Sequence, residues 1–142
     1  MMLLEDLIGV PFVDGGRDEN TGLDCYGLVK VVFRRLQGIE LPEYHICCED
    51  AININEAITT QRPLWVRCDT KTLPVPCLVV IRFNQAVFCN HTGVYIGNGM
   101  FIHTRQKIGV NIEPIDSIIW KRRIEGFYVP SQEVIKRCKK SP

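Results

Sequence analysis

The sequence predicts an α+β fold in which helical segments come first and an antiparallel sheet follows. Apolar residues recur with helical spacing in the N-terminal part of the chain. From Leu64 onward the chain consists of short β-branched or aromatic runs separated by Pro or Gly. Asn98-Gly99, between two of these runs, is a strong hairpin signal. Helices followed by hairpin-linked strands are typical of α+β domains.

Length and composition restrict the class of protein. The 142 residues correspond to one domain, 1–142, with 46% hydrophobic and 23% charged residues, which excludes disordered and fibrous classes. The longest uncharged apolar run, 74–81, is much shorter than the roughly 20 residues of a membrane-spanning helix, so we expect no membrane insertion. Acidic residues follow the start at Glu5, so we expect no signal peptide. No segment resembles a nucleic-acid-binding module, and we expect no nucleic-acid partner.

The helical part contains one well-delimited helix, Cys25–Gln37, whose apolar residues fall on one face. Asp24 is suited to cap its N-terminus and Gly38 to end it. Two shorter helices are predicted at Leu3–Ile8 and Ala51–Ile58, and the polar, Gly-rich residues 13–22 are predicted to form a loop.

Six strands and one helical turn are predicted in the second part of the chain. The turn covers Pro114–Trp120. The strands are predicted at Leu64–Arg67, Cys77–Phe83, Ala86–Ile96, Met100–Thr104, Gly109–Glu113 and Ile124–Val129.

Cys25 differs from the other cysteines because it is the first residue of a helix, directly after its cap. The helix dipole and unpaired backbone amides at this position favour the thiolate. The alternative is an ordinary buried cysteine, the reading we prefer for Cys77 and Cys89 in their apolar runs. The seven cysteines show no zinc spacing, so we expect no metal site and no cofactor.

His91 and His103 lie on the two strands of the predicted hairpin. Either could be a satisfied core residue, or His91 could be the base that pairs with a thiol, with His103 orienting it. A two-residue turn at Asn98-Gly99 alone would turn the two rings to opposite faces of the sheet. A three-residue loop, 97–99, or a bulge with the same effect places them diagonally on one face, with Gly99 at positive φ. A site that uses both rings requires the second arrangement.

Two blocks of sequence resemble the NlpC family of papain-like cysteine peptidases. The first comprises Gly9–Asp18 and Leu23–Val29, around Cys25, and the second comprises His91–His103. The resemblance extends from about residue 7 to residue 129. Arg17-Asp18 and Phe33–Pro42 are most similar to the branch associated with bacteriophage tails.

This resemblance implies a papain-like core and hydrolysis of peptidoglycan stem peptides at the amide between γ-D-glutamate and a diamino acid. It implies that Cys25 is the nucleophile, His91 the general base and His103 the orienting residue, without a cofactor. Asp24, Asp14 and Tyr26 are the implied substrate-binding residues. Asp14 stands where the family usually has an aromatic residue, and 75–77 replaces a common Pro-Gly-Asp. Phage tail proteins are the implied partners, and action at the cell wall would need delivery from the cytoplasm by a tail or a secretion apparatus.

Three other interpretations stay open at this point. One is a cysteine amidase that acts on a different amide, as a delivered toxin would. Another is a non-catalytic tail or assembly protein that keeps the fold for protein contacts, although such a protein gains nothing from a Cys-His-His set. The third is a structural metal protein that uses Cys89, His91 and His103.

Overall fold

Helix α1, Cys25–Gln37, begins and ends where the sequence predicts in this computed structural model, which describes residues 2–42, 65–82 and 91–138. Asp24 is the N-cap and accepts a hydrogen bond from the amide of Gly27. Gly38 ends the helix with a φ of 67°, and its amide donates to the carbonyl of Arg34. The predicted helix Ala51–Ile58 and residues 64, 83 and 86–90 of three predicted strands lie outside the described residues.

The segment before α1 contains more regular structure than the sequence predicts. A 3-10 helix covers Met2–Leu7, in place of the short helix predicted at Leu3–Ile8. Strands β1, Arg17–Asp18, and β2, Gly22–Leu23, pair as an antiparallel hairpin. All of this hairpin except Leu23 lies inside the predicted loop 13–22. The prediction of a plain loop there was wrong, because two-residue strands are too short to show periodicity.

A six-stranded antiparallel sheet forms the second part of the molecule, in the spatial order β3-β8-β4-β5-β6-β7. A short helix follows it, α2, Gln132–Cys138, which the sequence analysis did not predict. Residues 115–123 form successive turns, consistent with the predicted helical turn. The strands are β3, Trp65–Arg67; β4, Cys77–Ile81; β5, His91–Gly97; β6, Met100–Arg105; β7, Gly109–Pro114; and β8, Ile124–Pro130.

The two faces of the sheet have different coverings. Helix α1 packs against β5 and β6, where Val94 and Ile102 join its aliphatic residues in the main core. On the other face Phe101 and Trp120 belong to a second, more aromatic cluster. Alternation along the strands therefore assigns His91 and His103, in register with Phe101, to the aromatic face.

The hairpin between β5 and β6 combines a tight turn with a bulge. Gly97 pairs with Met100 across Asn98-Gly99, whereas Tyr95 pairs with Phe101, so Ile96 is the extra residue. Gly99 has a φ of 72°, as expected. The bulge places His103 and His91 on one face, which confirms the register that a site with both rings requires. None of the helices in the described part of the chain is long and apolar enough to cross a membrane.

Candidate active site

The nucleophile side of the site is built around the carboxylate of Asp24. This side chain is buried, and its Oδ1 atom accepts from the amide of Gly27 at 2.7 Å and from Nη1 of Arg17 at 2.6 Å. Its Oδ2 atom accepts from the amide of Gly15 at 3.1 Å. The loop and the start of α1 are thereby fixed to each other, with Cys25 as the first residue of the helix.

The thiol of Cys25 is buried at this helix start, with only 9% of the residue exposed. Burial and the neighbouring charge of Asp24 raise its pKa above the ordinary 9.0, although the hydroxyl and main chain of Thr92 and the main chain of Tyr26 favour the thiolate. The expectation that this position favours the thiolate was therefore wrong, because desolvation outweighs the hydrogen bonds that lower the pKa. Thr92 directly follows His91, so the thiol lies beside the start of β5, the strand that carries the first histidine.

His91 and His103 form a hydrogen-bonded pair. Nε2 of His91 lies 2.9 Å from Nδ1 of His103, and both rings are buried. Gly93, next to the Val94–Ile102 pair of the register, makes room for the two rings, since a Cβ at Gly93 would lie only 3.0 Å from the Cβ of His103 and 2.9 Å from the carbonyl oxygen of Ile102.

Aromatic side chains enclose the pair and keep it neutral. Trp120 stacks on His91 at 6.1 Å between ring centroids, and Phe101 stacks on His103 at 4.4 Å. Burial lowers the pKa of His91 well below 6.5, and His103 and Arg105 lower it further. Burial also lowers the pKa of His103, although a carboxylate beside it acts in the opposite direction. The resting pair is thus made of two uncharged imidazoles.

The carboxylate beside His103 belongs to Glu113, which the sequence analysis did not single out. Its Oε2 atom lies 2.5 Å from Nε2 of His103 and accepts a hydrogen bond from Nδ2 of Asn111 at 3.2 Å. Glu113 lies on β7, outside both blocks that carry the family resemblance. Glu113 reaches the ring of His103 only because β6 pairs with β7. In this register Phe101 is opposite Glu113, and His103 is opposite Asn111.

The three predicted substrate-binding residues occupy different environments. Asp14 is exposed in the turn between Val13 and Gly16. Tyr26 is half-buried, and its hydroxyl donates to the carbonyl of Pro42 at 2.6 Å. The Asp24 carboxylate already accepts three hydrogen bonds, so its role as an amine-binding residue stays a prediction, as do the roles of Asp14 and Tyr26. Among the residues that the structure describes, no group of three His, Cys, Asp or Glu side chains could hold a metal ion.

Residues 73–129, which hold both histidines and Glu113, match the NlpC/P60 family. A solved NlpC/P60 family protein from Bacillus cereus superposes with a TM-score of 0.63 at 24% identity, over 85% of this chain and 35% of that one. The described fold is an NlpC/P60 fold. This confirms the α+β, papain-like core that the sequence predicts.

Two curated relatives match nearly the whole chain. The gamma-DL-glutamyl hydrolase of Bacillus subtilis (strain 168) is 30% identical over 123 residues, which are 87% of this chain and 27% of that protein. The murein DD-endopeptidase MepH of Escherichia coli (strain K12) is 29% identical over 127 residues, 89% of this chain and 43% of that protein. The chain spans less than half the length of either relative.

Proposed function

We propose that this protein is a cysteine peptidase that hydrolyses an amide in peptidoglycan stem peptides. The observation that carries this proposal is the 2.9 Å contact between His91 and His103, in an NlpC/P60 fold with Cys25 at a helix start. Because His91 uses Nε2 to contact His103, Nδ1 is the nitrogen that would exchange a proton with the thiol. Two hydrolases of glutamyl and murein bonds among the relatives support the same reaction class.

Because the Cys25 thiol and the His91 imidazole are both uncharged at rest, the reaction would begin with a proton transfer between them. Nδ1 of His91 takes the thiol proton of Cys25 as the sulfur attacks the amide carbonyl carbon, and the backbone amide of Cys25 is a candidate donor to the resulting oxyanion. The imidazolium then gives its proton to the leaving amine, which produces a thioester. Water, deprotonated by His91, hydrolyses the thioester and restores the thiol.

The bond that we propose is the amide between γ-D-glutamate and the diamino acid of a stem peptide. Support comes from the resemblance of the Cys25 and His91 blocks to peptidases of that specificity, and from the relative named for glutamyl bonds. The relative named as a DD-endopeptidase acts on a different class of bond, so the digestion below includes both.

The experiment is digestion of purified muropeptides, with products identified by mass spectrometry. We expect cleavage between γ-D-glutamate and the diamino acid, absent in Cys25→Ala. Cleavage of a DD cross-link instead would reassign the bond within peptidoglycan. Inactivity on every stem peptide, with hydrolysis of an unrelated amide, would favour a different cysteine amidase, to which the exposed Asp14 in place of an aromatic residue would be relevant. Inactivity on all amides would favour an assembly protein.

We also propose that the protein is made in the cytoplasm and reaches the cell wall with a phage or prophage tail. The support is the similarity of Arg17-Asp18 and Phe33–Pro42 to the tail-associated branch. Mass spectrometry of tail particles purified after prophage induction tests this. Absence of the protein from the particles would contradict it, whatever the outcome of the digestion.

A further inference from the structure

Glu113 extends the histidine pair by one more hydrogen-bonded group. Three groups are connected in series: His91 through Nε2 to Nδ1 of His103, and His103 through Nε2 to Oε2 of Glu113. Asn111 donates to the same oxygen of Glu113, which leaves its orientation well defined. The carboxylate is one-fifth exposed, whereas the ring of His103 is fully buried.

We propose that Glu113 is a positioning residue that sets the direction of every hydrogen bond in this series, and so holds His91 in the tautomer that can act as a base. Its catalytic consequence rests on the proposed function, but its effect on the tautomers does not.

The direction follows from what each group can donate. An ionised carboxylate can only accept, so Nε2 of His103 must carry a proton and donate it. A neutral His103 then has a bare Nδ1, which accepts from Nε2–H of His91. A neutral His91 with its proton on Nε2 has its lone pair on Nδ1, the form required to take a proton from Cys25.

The charge states agree with this direction. Burial raises the pKa of Glu113, but the Trp120 indole, His103 and Asn111 together lower it below the ordinary 4.5, so the carboxylate is ionised at neutral pH. Burial and the nearby Arg105 keep His103 neutral despite the carboxylate. A protonated His103 would donate from Nδ1 to His91 and reverse the direction of that bond.

Removal of the carboxylate removes the constraint. In Glu113→Gln the side-chain amide can either donate to or accept from Nε2 of His103, so both directions become available. Glu113→Ala removes the acceptor. Glu125→Gln is the matched control, because Glu125 is a sheet carboxylate that bonds Tyr128 and Arg67 away from the histidines.

The first measurement is long-range ¹H–¹⁵N correlation on protein with ¹⁵N-labelled histidine at pH 7. The chain has three histidines, so single substitutions assign the signals. We expect the Nε2–H tautomer for both His91 and His103 in the unmodified protein and in Glu125→Gln. We expect a mixture of tautomers in Glu113→Gln and in Glu113→Ala. An Nδ1–H tautomer of His103 in the unmodified protein, or unchanged tautomers in both Glu113 variants, would overturn the proposal.

The second measurement is hydrolysis of whichever muropeptide the protein cleaves. Loss of a carboxylate that orients a functional histidine typically costs about 10- to 100-fold, and we expect a loss of that size in kcat for Glu113→Gln, with little change in KM. The kcat of Glu125→Gln should stay unchanged. Equal losses in both variants would indicate a merely structural role. If no muropeptide is cleaved, the proposed function fails while the tautomer measurement still decides the role of Glu113.

Discussion

Asp24 and Glu113 support the two sides of the candidate site, but their partners differ in kind. Asp24 accepts from the amides of Gly15 and Gly27 and from the guanidinium of Arg17. These donors belong to the main chain or keep their protons throughout the ordinary pH range. Glu113 accepts from an imidazole, His103, whose protonation can change, and from the amide of an asparagine.

Because of this difference, Asp24 supports the fold around the site, whereas Glu113 supports the proposed proton transfer. Removal of Asp24 would leave donors that are buried in the fold without an acceptor, and this would lower the free energy of unfolding of the protein. Removal of Glu113 would leave a neutral ring free to change its tautomer, which affects proton transfer more than folding. We therefore expect substitution of Asp24 to reduce mainly the stability of the protein, and substitution of Glu113 to reduce mainly its activity.

The largest expected effect is the loss of activity on substitution of Cys25, the proposed nucleophile. Cys25→Ala should lower hydrolysis of the cleaved muropeptide by at least about 1,000-fold, because no nucleophile remains. Thermal unfolding should change little, since only one sulfur atom is removed. Cys68→Ala is the control, a half-buried cysteine at the end of β3, and should retain full activity. Activity retained in Cys25→Ala would refute the catalytic set.

Asp24→Ala should give the largest loss of stability among the supporting residues. The change removes a helix cap and leaves Arg17 and two amides without their acceptor, so we expect a decrease of about 2 to 4 kcal/mol in the free energy of unfolding. Urea titration measures it. Asp18→Ala is the control. Asp18 lies on β1 at an exposed site, and within the described part of the chain its carboxylate accepts a hydrogen bond only from the amide of Asn20, so this change should cost much less. Equal losses of stability in the two variants would contradict the structural role of the Asp24 carboxylate.

The sequence predicts the Asp24 side of the site better than the Glu113 side. Asp24, Cys25 and Gly38 act through local rules for helix ends, so adjacent residues reveal them. His91 and His103 could be predicted because a hairpin connects them. The sequence alone left a three-residue loop and a bulge as two ways to reach the register, and the structure has a bulge at Ile96.

Glu113 and the state of the thiol depend on packing that no local pattern records. Glu113 reaches His103 only through the register of β6 with β7, and alternating charged residues on a strand are common on solvated faces. The pKa of Cys25 depends on how deeply the helix start is buried. Helix position indicates the favourable contribution to the thiolate but not the cost of desolvation, which is larger here.

The pH dependence of the alkylation rate of Cys25 tests whether the pKa of its thiol is raised. Because burial and Asp24 raise its pKa above 9.0, the rate with iodoacetamide should keep increasing with pH beyond 9, with no plateau near neutrality. At pH 6, His91→Ala should leave the rate nearly unchanged, since a neutral imidazole supplies no charge to a thiolate. Peptide mapping after short pulses gives the rates. A plateau below pH 7 that disappears in His91→Ala would instead indicate a preformed thiolate–imidazolium pair.

Stability against pH is the smallest effect that we expect, and it tests the neutrality of the histidine pair directly. The pKa of His91 lies well below 6.5 in the folded state, so between these values the unfolded chain binds a proton that the folded protein does not. The free energy of unfolding should therefore decrease as the pH falls below 6.5 and recover fully above it. The lowered pKa of Glu113 matters only at lower pH, in the range where carboxylates titrate. The pKa of His103 is lowered in the same direction. His91→Gln therefore removes one of two titrating rings and should make the dependence between about pH 7 and pH 5 shallower, without abolishing it, in urea titrations. A dependence equally steep in the variant would show that the buried ring of His91 is not its source, and would contradict the lowered pKa of His91.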